Sequence, residues 1–294
     1  MTVDSARWII LGAGYAGARL ARELAADDVD VWATVRDVEQ AVELEAAGVA
    51  CIVADFEGDV RQAIDLPKDA IAVLSIPPSR TDDHAQTEAN AIAWAKAQGA
   101  KRVIYWSSTS VYGSSEGALV DESVSISPNT SVGRRRAAAE ARVEAAAKEA
   151  GLELAIIRIV GIYGPHRNMK QRLERGEYVM ADGGEVWSNR VHVDDIVSST
   201  RWIAAQASPA GVWLLSDGQY FQVHEMVRWL CEELHFAMPK SVPLASMEPR
   251  RRAFWSGNRR IHPKRLLESG WSPRYPNYAL GMRAAWREEE GGQE

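Results

Sequence analysis

Along its first 160 residues the chain alternates short apolar runs with stretches whose apolar positions recur every three or four residues. The runs at 8–11, 29–35, 50–54, 71–76, 102–106 and 152–160 are rich in valine and isoleucine and often apolar throughout. A strand with one wet face would alternate; continuous runs of this length fit strands of a parallel sheet covered on both sides. Between them, 16–26, 38–47, 87–98 and 134–150 carry Ala, Glu, Arg and Leu at helical spacing. That alternation predicts an α/β fold with a doubly wound parallel sheet. The 134–150 stretch is almost wholly strong helix formers and stops at Gly151, a suitable C-terminal cap.

After Gly164-Pro165 the pattern loosens. A polar stretch (166–190) precedes a helix at about 193–207 and a strand at 211–216; beyond Asp217-Gly218 come a helix at about 223–234 and a Pro- and Arg-rich segment reaching Pro276. The expected organisation is a main domain of 1–165 plus about 191–217, with a smaller C-terminal α/β lobe of 166–190 plus 218–294 for the substrate. Residues 288–294 read as a frayed tail.

Composition narrows the function classes. The 294 residues are 46% hydrophobic and 25% charged with a net charge of −6, close to a globular average. Bulk charge therefore makes no case for nucleic acid or a membrane as partner. Cys51 and Cys231 stand far apart with no CxxC or Cys/His spacing, so both read as buried, reduced thiols, with neither a disulfide framework nor a metal site. The apolar run at 8–11 is too short for a signal peptide, and no run approaches the roughly 18 residues needed to span a bilayer; a cytoplasmic protein is expected.

The sharpest chemical signal is Gly12-Ala13-Gly14-Tyr15-Ala16-Gly17, directly after the first strand and opening a helix. In a GxGxxG turn the first glycine permits the tight bend, the second lets a pyrophosphate approach the backbone, and the third lets helix pack on strand; the helix N-terminus offers N–H groups to the phosphates. This is the phosphate loop of a Rossmann-type dinucleotide site, with Gly12, Gly14, Tyr15, Ala16 and Gly17 as contacts.

An acidic residue about 20 positions on would bind the ribose hydroxyls of NAD. Here that place falls at Val35, with Arg36 next. A guanidinium without an acid before it suits a 2′-phosphate, so NADP is expected, with NAD as the alternative if Arg36 is a solvated loop residue and Asp37 takes the ribose. Asp55, after the third strand, reads either as an adenine contact or as a turn residue of Asp55-Phe56-Glu57-Gly58. Ile76, Pro77 and Ser107, near the ends of later strands, complete the expected cofactor contacts.

Five stretches follow one another along the chain: Gly14-Tyr15-Ala16-Gly17, Ser107 through Gly113, Arg158 through Ile162-Tyr163-Gly164-Pro165, Arg190 through Asp195, and Leu267 through Pro273. In these the sequence resembles the extended short-chain dehydrogenase/reductase family, in its nucleotide-sugar epimerase and dehydratase group. The resemblance is specific because several motifs occur in order. It implies a Rossmann domain for the cofactor, a small lobe over a small-molecule substrate, and a homodimer formed through the helices at 87–98 and 134–150. It also implies that Ser108 hydrogen-bonds the reacting oxygen while a Tyr of a YxxxK motif moves the proton.

That motif is broken. Val132 stands in the Tyr position and Arg136 in the Lys position, and none of the eight tyrosines has a Lys four residues later. Valine cannot move a proton, whereas Arg136 keeps a charge for ribose or phosphate. Where the dehydratase branch carries an Asp-Glu pair this chain has Thr109-Ser110, which argues against sugar 4,6-dehydration. Tyr112 and His166 are the remaining acid/base candidates, although Tyr112 reads more readily as a structural residue of its VYG turn. His192 reads as an anchor of 191–193. The arginines at 250–252 and 259–260 read either as holders of an anionic substrate or as solvated residues. Two functions stay open: an NADP-dependent oxidoreductase or epimerase with a non-standard proton donor, and a catalytically inactive NADP(H)-binding sensor.

Overall fold

The computed structural model describes residues 6–58, 69–78, 86–182 and 186–291. Seven strands form one sheet: β1 (Trp8–Leu11), β2 (Val31–Val35), β3 (Ala50–Val53), β4 (Ala70–Leu74), β5 (Ala100–Ser108), β6 (Glu153–Ile159) and β7 (Gly211–Leu215), in the order 7-6-5-4-1-2-3. The pairs running from β3 through β2, β1 and β4 to β5 are parallel. Ile10 of β1 lies opposite Ala33 on one side and Val73 on the other. Every residue of β1 and β4 is buried, as their continuous apolar runs require. The fold is thus an α/β Rossmann-type sheet whose strand order reverses at β1 and β4, the place where such sheets open a crevice at their carboxyl ends.

Helices α1 (Tyr15–Ala26), α2 (Val38–Glu45), α3 (Thr87–Ala97) and α4 (Ser131–Ala150) connect these strands close to the expected limits. α4 starts three residues earlier than its composition predicts, which puts Val132 in its first turn. Ala139, Val143 and Ala147 of α4 share one core with Tyr105, Ile156 and Ile92. Glu88 of α3, fully buried, accepts two hydrogen bonds from Arg142 of α4, at 3.0 and 3.1 Å. Cys231 is buried as expected, while Cys51 at the sheet edge is half-buried; both are free.

The chain divides into two compact units. The first comprises Met1–Ser108, Arg134–Arg158 and Ile196–Trp213; the second comprises Thr109–Gly133, Ile159–Asp195 and Leu214–Glu294. The second unit has its own core, which includes Tyr163, Met180, Phe221, Leu230 and Trp286. Its sheet elements are short pairs: Gly161–Tyr163 with Arg190–His192, Trp187–Ser188 with Phe221–Gln222, Met180–Ala181 with Ser241–Val242, and Leu119–Val120 with Arg260–Ile261.

Helix α5 (Val193–Ala205) begins in the second unit, which also carries α6 (Val223–Leu234) and α7 (Tyr278–Glu289). α7 corrects the expected tail: Asn277 caps it through Leu280 N–H, Met282, Ala285 and Trp286 are buried, and the helix runs through Glu289. Residues 292–294 of that expected tail lie outside the described residues. No helix among the described residues is long and apolar enough to cross a membrane.

Candidate functional site

The glycine loop sits at the carboxyl end of β1. Gly12 has φ +91°, and a Cβ there would lie 2.9 Å from Ile76 Cγ1, so both backbone shape and the neighbouring strand end require glycine. A Cβ on Gly17 would lie 2.7 Å from the Gly12 carbonyl oxygen and 3.2 Å from Ile10 Cγ2, which is the close helix–strand packing expected of the third glycine. At Gly14 the same atom meets nothing within 4 Å among the described residues. Sterics inside the protein therefore explain Gly12 and Gly17 but not Gly14, whose missing side chain leaves open space.

The loop is held rigidly by residues the sequence did not single out. Thr34 of β2 accepts the Gly12 N–H through its hydroxyl and the Ala13 N–H through its carbonyl, both at 2.8 Å. Ser75 donates its hydroxyl to Leu11 O at 3.2 Å and also to Gly12 O. Gln40 of α2 donates its amide to Ala13 O at 2.5 Å. A polar Thr inside an apolar strand was the available signal for Thr34; Ser75 and Gln40 reach the loop only through tertiary folding. The first turn of α1 carries no acid, and its N-cap, Gly14, gives no side-chain hydrogen bond. The helix thus presents its positive end uncapped, as an anion site does. The residues present fit a dinucleotide.

Around the loop, the other expected cofactor residues lie at strand ends of the same sheet. Arg36 follows β2, is exposed, and makes no hydrogen bond or ion pair among the described residues. Asp37 caps α2, accepting Gln40 N–H at 2.8 Å. Asp55 closes its turn by accepting Glu57 N–H at 3.0 Å. Ile76 and Pro77 follow β4, with Ile76 against Gly12. Ser107 and Ser108 end β5. Ser107 is buried and donates to Glu140 at 2.5 Å, while Arg158 grips the same carboxylate at 2.8 to 3.3 Å. Arg136 extends from α4 to β5, donating through Nη1 to the Tyr105 hydroxyl at 3.1 Å and to Trp106 O at 3.2 Å. Burial pushes the Tyr105 phenol up, against the pull of Arg136.

In the second unit, Tyr112 ends a 3-10 turn, Thr109–Tyr112, and is buried. Gly133, in the first turn of α4, has no room for a side chain against Ser110 O, so Val132 is held beside this turn with 51% of its surface exposed. His166 is exposed at φ +57°, with its backbone N–H given to Glu289 at 2.5 Å. His192 is buried; its Nδ1 accepts Asp194 N–H at 3.2 Å, and its ring lies 5.3 Å from that of Tyr163 and 4.3 Å from that of Tyr275. It anchors its strand as the sequence suggests. Asp195, fully buried, accepts the N–H groups of Arg274 and Tyr275 at 2.6 and 3.2 Å, yet burial raises its pKa to about 6. Asp217 is pushed further, to about 8, by burial and by the charge of Asp195.

The arginine run separates into distinct duties. Arg252 donates to the carbonyls of Ala245 and Met247 at 2.7 and 2.9 Å; Arg260 donates to Gly117 O at 2.6 Å and lies over the rings of Trp187 and Tyr220. Arg259 donates to Gly113 O, and burial lowers its pKa to about 10. These three brace loops. The side chain of Arg250 lies outside the described residues. Arg190, the first residue of the 190–195 motif, makes no side-chain hydrogen bond or ion pair among the described residues.

The family model for the NAD dependent epimerase/dehydratase family matches residues 8–214. Curated proteins give no match. Among solved structures, a conserved protein of unknown function from Silicibacter pomeroyi is 27% identical, with a TM-score of 0.83 over 97% of this chain and 100% of that one. The UDP-glucose 4-epimerase of Thermus thermophilus, solved with NAD, is 16% identical, with a TM-score of 0.76 over 97% and 100%. The UDP-glucuronic acid 4-epimerase of Bacillus cereus, solved with UDP-glucuronic acid and NAD, is 16% identical, with a TM-score of 0.73 over 97% and 99%.

Proposed function

The chain belongs to the NAD dependent epimerase/dehydratase family, and from that premise we propose that it binds a nicotinamide dinucleotide at Gly12–Gly17 and acts as an oxidoreductase or epimerase on a carbonyl or hydroxyl of a polar, anionic metabolite of the nucleotide-sugar kind. The observation that carries this reading is the glycine loop: two glycines demanded by internal packing, a third facing open space, and an uncapped helix N-terminus beside it. NADP is the preferred cofactor, because the free guanidinium of Arg36 stands at the end of β2 while Asp37 is engaged as a helix cap.

When bound, the nicotinamide supplies or accepts a hydride. The protein's part is to hold and polarise. Arg136, pinned by Tyr105 and Trp106 through one nitrogen, would use its remaining N–H groups to hold the cofactor ribose or phosphate. Ser108 polarises the substrate oxygen. Proton movement falls to Tyr112 or His166, since Val132 has no proton to give. The second unit serves as the substrate lobe. The same reading has the protein act in the cytoplasm as a homodimer paired through α3 and α4.

The exposed Val132 favours a second reading, an NADP(H)-binding sensor without turnover. Incubating the protein with reduced and oxidised cofactor and a panel of UDP-sugars, alcohols and aldehydes separates the two. Cofactor absorbance change or epimerised sugar supports the enzyme. Tight cofactor binding with no change across the panel supports the sensor. The double variant Val132→Tyr with Arg136→Lys adds a check: reductase activity gained there shows a pocket that lacks only its proton donor.

A further inference from the structure

Among the described residues, Arg190 makes no side-chain hydrogen bond or ion pair. Its guanidinium occupies the space that Gly161 leaves by having no side chain, and its Cζ lies 5.7 Å from the centre of the Phe254 ring. Its Nε is buried and unpartnered, and desolvation lowers its pKa despite the opposing effects of Tyr178, Tyr163 and Asp217. Those three neighbours are unsatisfied as well: Tyr163 Oη, Tyr178 Oη and Asp217 Oδ2 are buried without a hydrogen-bond partner among the described residues. Burying a charge or a polar group with no partner is costly, so this cluster calls for a ligand to satisfy it. Arg252, Arg259 and Arg260 each have carbonyl partners in the same unit; Arg190 alone among these four has none.

We propose that Arg190, steadied by Phe254, anchors a carboxylate of the substrate. This rests on the reading of the second unit as the substrate lobe and sharpens it by naming the charged group. The neighbours favour a monoanion. Around Arg190 stand two phenols, which are donors, and Asp217, which at neutral pH is mostly the neutral acid and does not supply the missing charge. One carboxylate balances one guanidinium. A diphosphate would bring more negative charge into this buried place than one guanidinium balances.

Isothermal titration of the full chain tests this with two pairs of probes that differ only in the carboxylate: UDP-glucuronic acid against UDP-glucose, and D-glucuronate against D-glucose. The expected result is a preference of at least about tenfold for the carboxylate member of one pair, the scale of one charge-assisted hydrogen bond. Arg190→Gln abolishes the preference, while Arg190→Lys retains part of it. Phe254→Ala, at a position 38% exposed and so safe for folding, reduces it several-fold. No preference in either pair, or an Arg190→Gln variant that loses both members equally, overturns the assignment; equal loss points to phosphate instead. NAD and NADP titrated in parallel keep the outcomes apart, since failure of cofactor binding sinks the broader function whether or not Arg190 reads a carboxylate.

Discussion

At the scale of single residues, the structure divides positions that look alike in sequence. Arg36 and Asp37 are adjacent and exposed, yet only Asp37 has a structural duty. Arg36→Ala is therefore expected to weaken NADP by about 1–3 kcal/mol more than NAD in side-by-side titrations; equal losses would remove Arg36 from the 2′-phosphate. Asp217 makes a second, independent prediction. Its folded pKa of about 8 lies above the ordinary 3.8, so the folded state holds a proton that the unfolded state releases between those values. Stability should then fall as pH rises from about 4 to about 8, by an amount on the order of 5 kcal/mol when complete. Asp217→Asn preserves an acceptor for Gln219 N–H and removes this slope: the variant should match the wild type near pH 4 and exceed it at pH 9 in denaturant melts. Parallel curves for the two proteins would contradict the assignment. The sequence could not show this, because the burial of Asp217 and its proximity to Asp195 exist only once the second unit has folded.

At the scale of elements, the pattern of apolar positions was most reliable where a strand is buried on both faces or a helix is made of strong formers. β1, β4 and α4 are of that kind, and their positions were legible. α7 was not, because Gly281 interrupts it, and a glycine inside a helix lowers its propensity. The glycine is there for a tertiary reason: a Cβ at 281 would lie 2.8 Å from Tyr163 Cζ and closer still to its hydroxyl. Gly281→Ala should gain helix propensity and still destabilise the protein, by about 1–3 kcal/mol through overpacking. A rise in melting temperature would show that Tyr163 yields freely. The Arg158–Glu140–Ser107 chain makes a comparable claim for β5 and β6. Glu140→Leu strands a buried guanidinium and should cost about 3–5 kcal/mol, whereas a surface pair such as Arg7–Asp30 contributes at most about 1 kcal/mol.

At the scale of the whole molecule, family membership and a Rossmann-type sheet agree with what the strand-turn-helix order around Gly12–Gly17 implied. The candidate cofactor residues could be placed on one edge of the sheet because strand ends of one sheet bring distant residues together by a known rule of topology. The second unit was less legible: it is built of short strand pairs and loops with no periodic signature, and Arg190, which makes no side-chain hydrogen bond or ion pair among the described residues, lies outside the conspicuous run at 250–252 and 259–260. Gly14 separates dinucleotide binding from folding, since a Cβ there meets nothing within 4 Å among the described residues. The decisive measurement is titration of NAD and NADP into the wild type and Gly14→Asp, with melting curves to confirm that both are folded. Saturable binding by the wild type, lost by at least about a hundredfold in a Gly14→Asp protein of unchanged stability, is the predicted result. A wild type that binds neither dinucleotide, or a Gly14→Asp variant that binds as tightly, would contradict the account.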